Sequence, residues 1–140
     1  MKTVLGLVVA LLGVFYLTVP ASAQQKLLIG GPVHVKGGPA GGSVVCRAFS
    51  WSGQVVPLSA KEIFANNSTT PLPKLVDSCA ANGIAHGQMC EYSARIQGNL
   101  AYTCVFFVGP NTGAQNWAAS IEIQDAQGNV LVQEPASLLF

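Results

Sequence analysis

The residue types that could carry chemistry are few, and the most telling are sulfur. Cys46, Cys79, Cys90 and Cys104 are the four cysteines, at intervals of 33, 11 and 14 residues. Zinc-binding cysteines come in close C-x2-C pairs or with histidines at ligand spacing, and redox thiols as C-x-x-C; the chain has neither pattern. An even count of widely spaced cysteines in a small domain instead predicts two disulfides and an oxidising compartment. The histidines are His34 and His86. His86 lies between Cys79 and Cys90, so closing that loop would bring it towards Asp77 and Ser78, the one supply for a hydrolytic triad. A small secreted hydrolase built on those three residues is the catalytic alternative. No nucleophile elbow or oxyanion loop accompanies them, and a solvated loop histidine is the simpler reading. Glu62 and Glu122 could face one another as an acid–base pair, although single acids on strands are usually just solvated. No catalytic residue, metal ligand or cofactor site is assigned, and the chain is expected not to be an enzyme.

The elements that must position these residues read as strands. Leu100 to Val108 is the longest β-branched and aromatic run beyond the first twenty residues, with Cys104 near its centre. Gly98-Asn99 and Gly109-Pro110 punctuate it, which marks one buried strand. Ser43 to Ser50 alternates Val44, Cys46 and Ala48 against Val45, Arg47 and Phe49. Further strands are expected over 55–65, 72–76, 91–97, 117–124 and 130–132, separated by turn residues such as Asn66-Asn67-Ser68-Thr69 and Asp125-Ala126-Gln127-Gly128-Asn129. No segment outside the first 23 residues shows a sustained helical period. The expectation is an all-β antiparallel sandwich of about seven strands.

Residues 1–23 are set apart from the fold. Lys2, an apolar run over Val4 to Val19, Pro20 and Ala21-Ser22-Ala23 have the form of a secretory signal peptide. Residues 24–42 then form a Gly- and Pro-rich lead-in, with an edge strand in view of Pro32 and Pro39. Residues 43–140 form the sandwich domain. Lys2 is one of seven basic residues, so the chain beyond the signal carries six against six acidic ones. A neutral, charge-poor chain has no electrostatic footprint for nucleic acid and no basic amphipathic stretch for a membrane surface. The expected location is therefore periplasmic or extracellular, with no membrane attachment once the signal is cleaved. A retained signal segment holding the protein at the envelope is the alternative. The two overlapping N-x-[ST] sequons at Asn66 and Asn67 read as turn chemistry, and Pro135 argues against an outer-membrane barrel strand ending at Phe140.

Two likenesses follow from these residues. Tyr102-Thr103-Cys104 resembles the tyrosine corner beside the inter-sheet disulfide of immunoglobulin domains. That likeness favours Cys46–Cys104 across the sheets and Cys79–Cys90 closing a local loop, although four cysteines permit three connectivities and spacing does not choose among them. Trp51 stands only five residues after Cys46, and Gly98 occupies the place of an acidic residue, so an immunoglobulin-like sandwich is implied and a true immunoglobulin domain is not. Over roughly 43–132 the chain also resembles small exported bacterial four-cysteine proteins of unknown function. They share a signal peptide, a first-strand cysteine, a Cys-loop-Cys pair, a last-strand cysteine and a closing strand-turn-strand. This resemblance implies fold and compartment and nothing catalytic. The segments from Cys46 to Leu72 and from Cys104 to Val132 also look alike: each has a Phe three residues after the cysteine and a later Glu-Ile strand. A two-fold pseudo-symmetric sandwich would place the two cysteines facing each other.

The expected function is thus a non-catalytic, exported β-sandwich that works by binding or structural association, with an unknown protein or glycan as partner. Trp51, Phe64 and Trp117 at strand ends are the candidate contact residues, since aromatics dominate interface energetics. Ordinary core packing is the competing role for all three.

Overall fold

A computed structural model describes residues 26–36, 40–79, 82–109 and 116–139. The expected signal peptide, the Gly37-Gly38-Pro39 stretch and Phe140 lie outside the described residues. Eight antiparallel strands follow in order: β1 (Lys26–His34), β2 (Ser43–Ser50), β3 (Leu58–Ala65), β4 (Lys74–Asp77), β5 (Gln88–Arg95), β6 (Ala101–Val108), β7 (Trp117–Gln124) and β8 (Val130–Leu139). That is one more than the pattern suggested. Their spatial order is β3-β6-β1-β8-β7-β2-β5-β4.

The halves of this sheet are joined through β8, which changes partner part-way. Its first part pairs with β7, up to Ser120↔Pro135, and its second with β1, from Gly30↔Ala136. Pro135 was expected to stop the strand. It is accommodated because it stands where the strand passes from one partner to the other, a place where a missing ladder hydrogen bond costs little. The two halves then lie face to face. Cys46 on β2 and Cys104 on β6 join them with Cα atoms 5.9 Å apart. A Cβ on Gly30 of β1 would come within 3.4 Å of the Ile121 Cβ on β7, so glycine lets the layers meet closely there.

The lead-in is part of the sheet, which corrects the expected edge strand. β1 sits inside the sheet, between β6 and β8. It tolerates Pro32 because its pairing with β6 shifts between Gly30 and Val33, and a proline at a bulge removes no regular ladder bond. The true edges are β3 and β4. Lys61 of β3 reaches across to β4, donating to Asp77 at 3.0 Å and to the Cys79 carbonyl at 2.7 Å, and so closes the open side of the sandwich. The Leu72 N–H donates to the Ile63 carbonyl at 2.7 Å and occupies part of the β3 edge. Unsatisfied edges invite pairing with other chains, and these contacts blunt them.

Within this frame the immunoglobulin-like pairings are recognisable. The order β4-β5-β2 in one half and β3-β6 in the other match the D-E-B and C-F neighbours of such sandwiches. The outer places differ. β1 stands beside β6 and β7 stands beside β2, where an immunoglobulin domain has its last and first strands respectively. The likeness between the two cysteine segments has a counterpart here: β2 leads into β3, which pairs with β6, and β6 leads into β7, which pairs with β2. Each cysteine strand is followed by a strand of the opposite layer.

The core gathers Leu28, Val44, Ile63, Tyr102, Phe106, Val108, Ile121 and Ile123, all at most 2 % exposed. Burying each is worth roughly 1.5–3 kcal/mol over leaving it in water. The tyrosine corner forms as its sequence suggested. The Tyr102 hydroxyl accepts the Gln97 N–H at 2.7 Å and donates to the Gly98 carbonyl at 3.2 Å, tying β6 to the turn that precedes it.

Candidate functional site

The three aromatic residues put forward as a contact surface have separate fates. Trp51 is 41 % exposed, Phe64 is half-buried in β3, and Trp117 is only 6 % exposed. Trp117 therefore does not belong to a surface. It opens β7 opposite Ser50 and points into the core, where its indole Nε1 has no hydrogen-bond partner among the described residues. Phe64, on an edge strand of the other layer, is not near Trp51 in the sheet order.

What surrounds Trp51 is a different set of residues. Strand β2 carries Phe49 on its outward side, opposite Met89 of β5 and Ala118 of β7. Trp51 stands two residues further on, with its ring centroid 5.5 Å from that of Phe49 and the planes inclined by 44°. That geometry falls in the favourable range for aromatic pairs. A backbone bond from the Trp51 N–H to the Asn116 carbonyl, 3.0 Å, fixes the approach to β7. Met89 is 60 % exposed. Phe49, Met89, Ala118, Ala119, Ser120 and Arg47 enclose a shallow depression of about 130 Å³. Sites for small molecules usually hold 300 Å³ or more, so this one has room for a single protruding side chain.

Arg47 borders that depression and anchors an ionic cluster across three strands. Its Nη1 donates to Glu122 of β7 at 2.5 Å, and its Nε and Nη2 donate to Glu91 of β5 at 3.4 and 3.3 Å. Glu122 is 3 % exposed and also accepts from the Gln124 side-chain amide at 3.2 Å. A carboxylate so buried needs such partners, because an unpaired one would carry a desolvation penalty of several kcal/mol. The cluster holds the guanidinium still beside the apolar patch. Glu62, the other half of the supposed carboxylate pair, sits on β3 in the opposite layer, so the two acids do not work together.

The hydrolytic alternative is not assembled. The His86 Nδ1–H donates to the Ser52 carbonyl at 3.1 Å. The Ser78 hydroxyl exchanges hydrogen bonds with the Glu91 backbone, donating at 3.2 Å and accepting at 2.8 Å. Asp77 accepts from Lys61 and, at 3.1 Å, from the Cys79 N–H. Each of the three side chains is engaged in a different place. The phenol of Tyr92 is held above its ordinary pKa, first by burial and then by the Asp77 and Glu62 charges, which keeps it neutral. Among the described residues no group of three or more His, Cys, Asp or Glu is placed to hold a metal ion. No helix among them is long and apolar enough to cross a membrane.

Sequence reasoning recognised Trp51 but missed its neighbours. The alternation of Val45, Arg47 and Phe49 on one face was visible. What was not visible was that Met89 and Glu91 stand directly opposite Phe49 and Arg47, because that depends on the register between strands about forty residues apart. Both disulfides pair as the immunoglobulin likeness favoured, Cys46 with Cys104 and Cys79 with Cys90. Two closed bridges accord with an oxidising environment. Comparison of the chain with models of known protein families gives no match, and neither do comparisons with curated proteins and with solved structures.

Proposed function

We propose that this chain is an exported, non-catalytic β-sandwich that works by binding a protein partner through the surface formed by Trp51, Phe49 and Met89. The observation that carries the reading is that Phe49 and Met89 line a small depression on a stapled sheet, with the Trp51 ring against Phe49 and a guanidinium held by two carboxylates alongside. Tryptophan, methionine, phenylalanine and arginine are the residues enriched at protein interfaces and at their energetic centres. A depression sized for one side chain fits an anchor residue of a partner. The separate engagement of Asp77, Ser78 and His86 supports a role without catalysis. The secretory form of residues 1–23 and the two disulfides support export to the periplasm or the extracellular medium.

The test uses the full chain expressed in its native host. Protein recovered from the exported fraction should begin at Gln24 by mass spectrometry; an intact Met1 would contradict the reading of the compartment. Purified wild type and Met89→Glu are then immobilised and exposed to the host's exported proteins. A partner retained by wild type and lost by the variant, with identical circular dichroism for both, is the expected result. Equal retention would remove this surface from consideration.

A further inference from the structure

At the opposite end of the same half-sheet lies a second concavity. Pro73, Lys74, Leu75, Arg95 and Gln97 line it, where β4 and the end of β5 meet the tyrosine-corner turn, and it encloses about 330 Å³. That volume lies within the range of small-molecule sites. Its charge is uncompensated. The half-buried cations Arg47 and Lys61, by contrast, have acidic partners, Arg47 with Glu91 and Glu122 and Lys61 with Asp77. These pairs also use up the acids of the two strands that build the groove, Asp77 on β4 and Glu91 on β5. Neither Lys74 nor Arg95 makes a side-chain hydrogen bond or ion pair among the described residues, and both are exposed. Two like charges are thus held on one concave wall of a chain that is neutral overall beyond the signal. Leu75, 47 % exposed, and Pro73 give the same wall an apolar part.

We infer that this groove is a binding site for an amphiphilic anion, a phosphate or carboxylate borne on an apolar stem. The guanidinium of Arg95 can hold an oxyanion in a two-pronged hydrogen bond, and the Lys74 ammonium adds a mobile point charge. Leu75 and Pro73 take the stem. The anion can belong to a soluble metabolite or to a lipid headgroup, and both present the same chemistry to these side chains. This site is separate from the Trp51 surface, since Arg95 pairs with Ser43 at one end of β2 and Met89 pairs with Phe49 near the other.

The experiment records backbone amide shifts of the signal-free chain, residues 24–140, at low ionic strength. Its probes are phenyl phosphate, inorganic phosphate, and vesicles of phosphatidylglycerol or of phosphatidylcholine. Phenyl phosphate should saturate shifts at Lys74, Leu75, Arg95 and Gln97, more tightly than inorganic phosphate, and weaken as salt is raised. Lys74→Gln/Arg95→Gln should lose at least about tenfold in affinity, the scale expected for removing charge-assisted hydrogen bonds. Leu75→Ser should weaken phenyl phosphate but not inorganic phosphate, a readout that a folding defect would not give. Co-sedimentation with phosphatidylglycerol alone, abolished in the double variant, assigns the site to a headgroup. Phenyl phosphate binding without vesicle binding assigns it to a soluble ligand. Absence of saturable shifts with phenyl phosphate, or equal shifts in the double variant, overturns the proposal.

Discussion

Arg47 donates to Glu122 at 2.5 Å across β2 and β7, and the carboxylate it meets is only 3 % exposed. The pair is asymmetric with its neighbour on the other side, because the Glu91 side chain is 33 % exposed and can return to water. Removing the cation should therefore cost far more than removing the outer acid. Arg47→Met leaves Glu122 buried and unpaired, a loss of about 3 kcal/mol. Glu91→Gln should cost less than about 1 kcal/mol, as exposed ion pairs do. Arg47→Met/Glu122→Leu, which takes out both ends, should recover most of the loss. Urea denaturation of the three variants checks this, and equal costs for Arg47→Met and Glu91→Gln would contradict it.

The two disulfides should differ in worth. Cys46–Cys104 closes 58 residues and Cys79–Cys90 closes 11. Restricting the unfolded chain over the longer loop is worth about 4 kcal/mol, and over the shorter somewhat under 3 kcal/mol. Cys46 and Cys104 are also both about 1 % exposed, so replacing them with alanine leaves a void between the layers. Thermal melts should place Cys46→Ala/Cys104→Ala well below Cys79→Ala/Cys90→Ala. The reverse order would show that the local loop, and not the inter-layer bridge, governs stability.

How much of this was legible in the sequence follows from the range of the interactions involved. Cys104 and Tyr102 carried the buried strand and its corner, because the hydroxyl bonds backbone only four or five residues away. Alternation in β2 and β7 was equally plain. Two things were not. β1 is interior and β8 runs past Pro135; each is fixed by which distant strand lies alongside. Pro32 and Pro135 looked like edge or stop signals because a proline does remove a donor, but both stand where a ladder changes register or partner. The Trp51 surface was half legible for the same reason: its first residue could be read, but the cross-strand partners could not.

A pH effect is expected at the β7–β8 turn. The Asp125 carboxyl is held below its ordinary pKa, chiefly by the Asn129 side-chain amide at 2.8 Å and then by the Asn129 N–H at 2.8 Å. Slight burial opposes this, and the Gln127 and Gly128 N–H groups add to it. A carboxylate with a lowered folded pKa stabilises the turn fully above its unfolded value of about 4, and that help is lost as the pH falls through the folded value. The amide signals of Gln127 and Asn129 should therefore hold steady from neutral pH down to about 4 and move only below it. Movement centred above pH 4 would contradict the hydrogen-bonded turn.

Trp117 offers the sharpest separation between size and polarity in the core. The ring fills space opposite Ser50 at the start of β7, while its Nε1–H is buried without an acceptor among the described residues. An unsatisfied buried donor costs about 1–3 kcal/mol. Trp117→Phe removes that donor and part of the ring, so the gain from the first should offset much of the loss from the second, leaving a net change within about 1.5 kcal/mol. Trp117→Ala removes the ring entirely and should cost about 3–5 kcal/mol. Urea midpoints for the two variants give the comparison. A phenylalanine variant as unstable as the alanine one would mean that the indole N–H contributes a bond of its own, and that the start of β7 is held by polarity and not by packing.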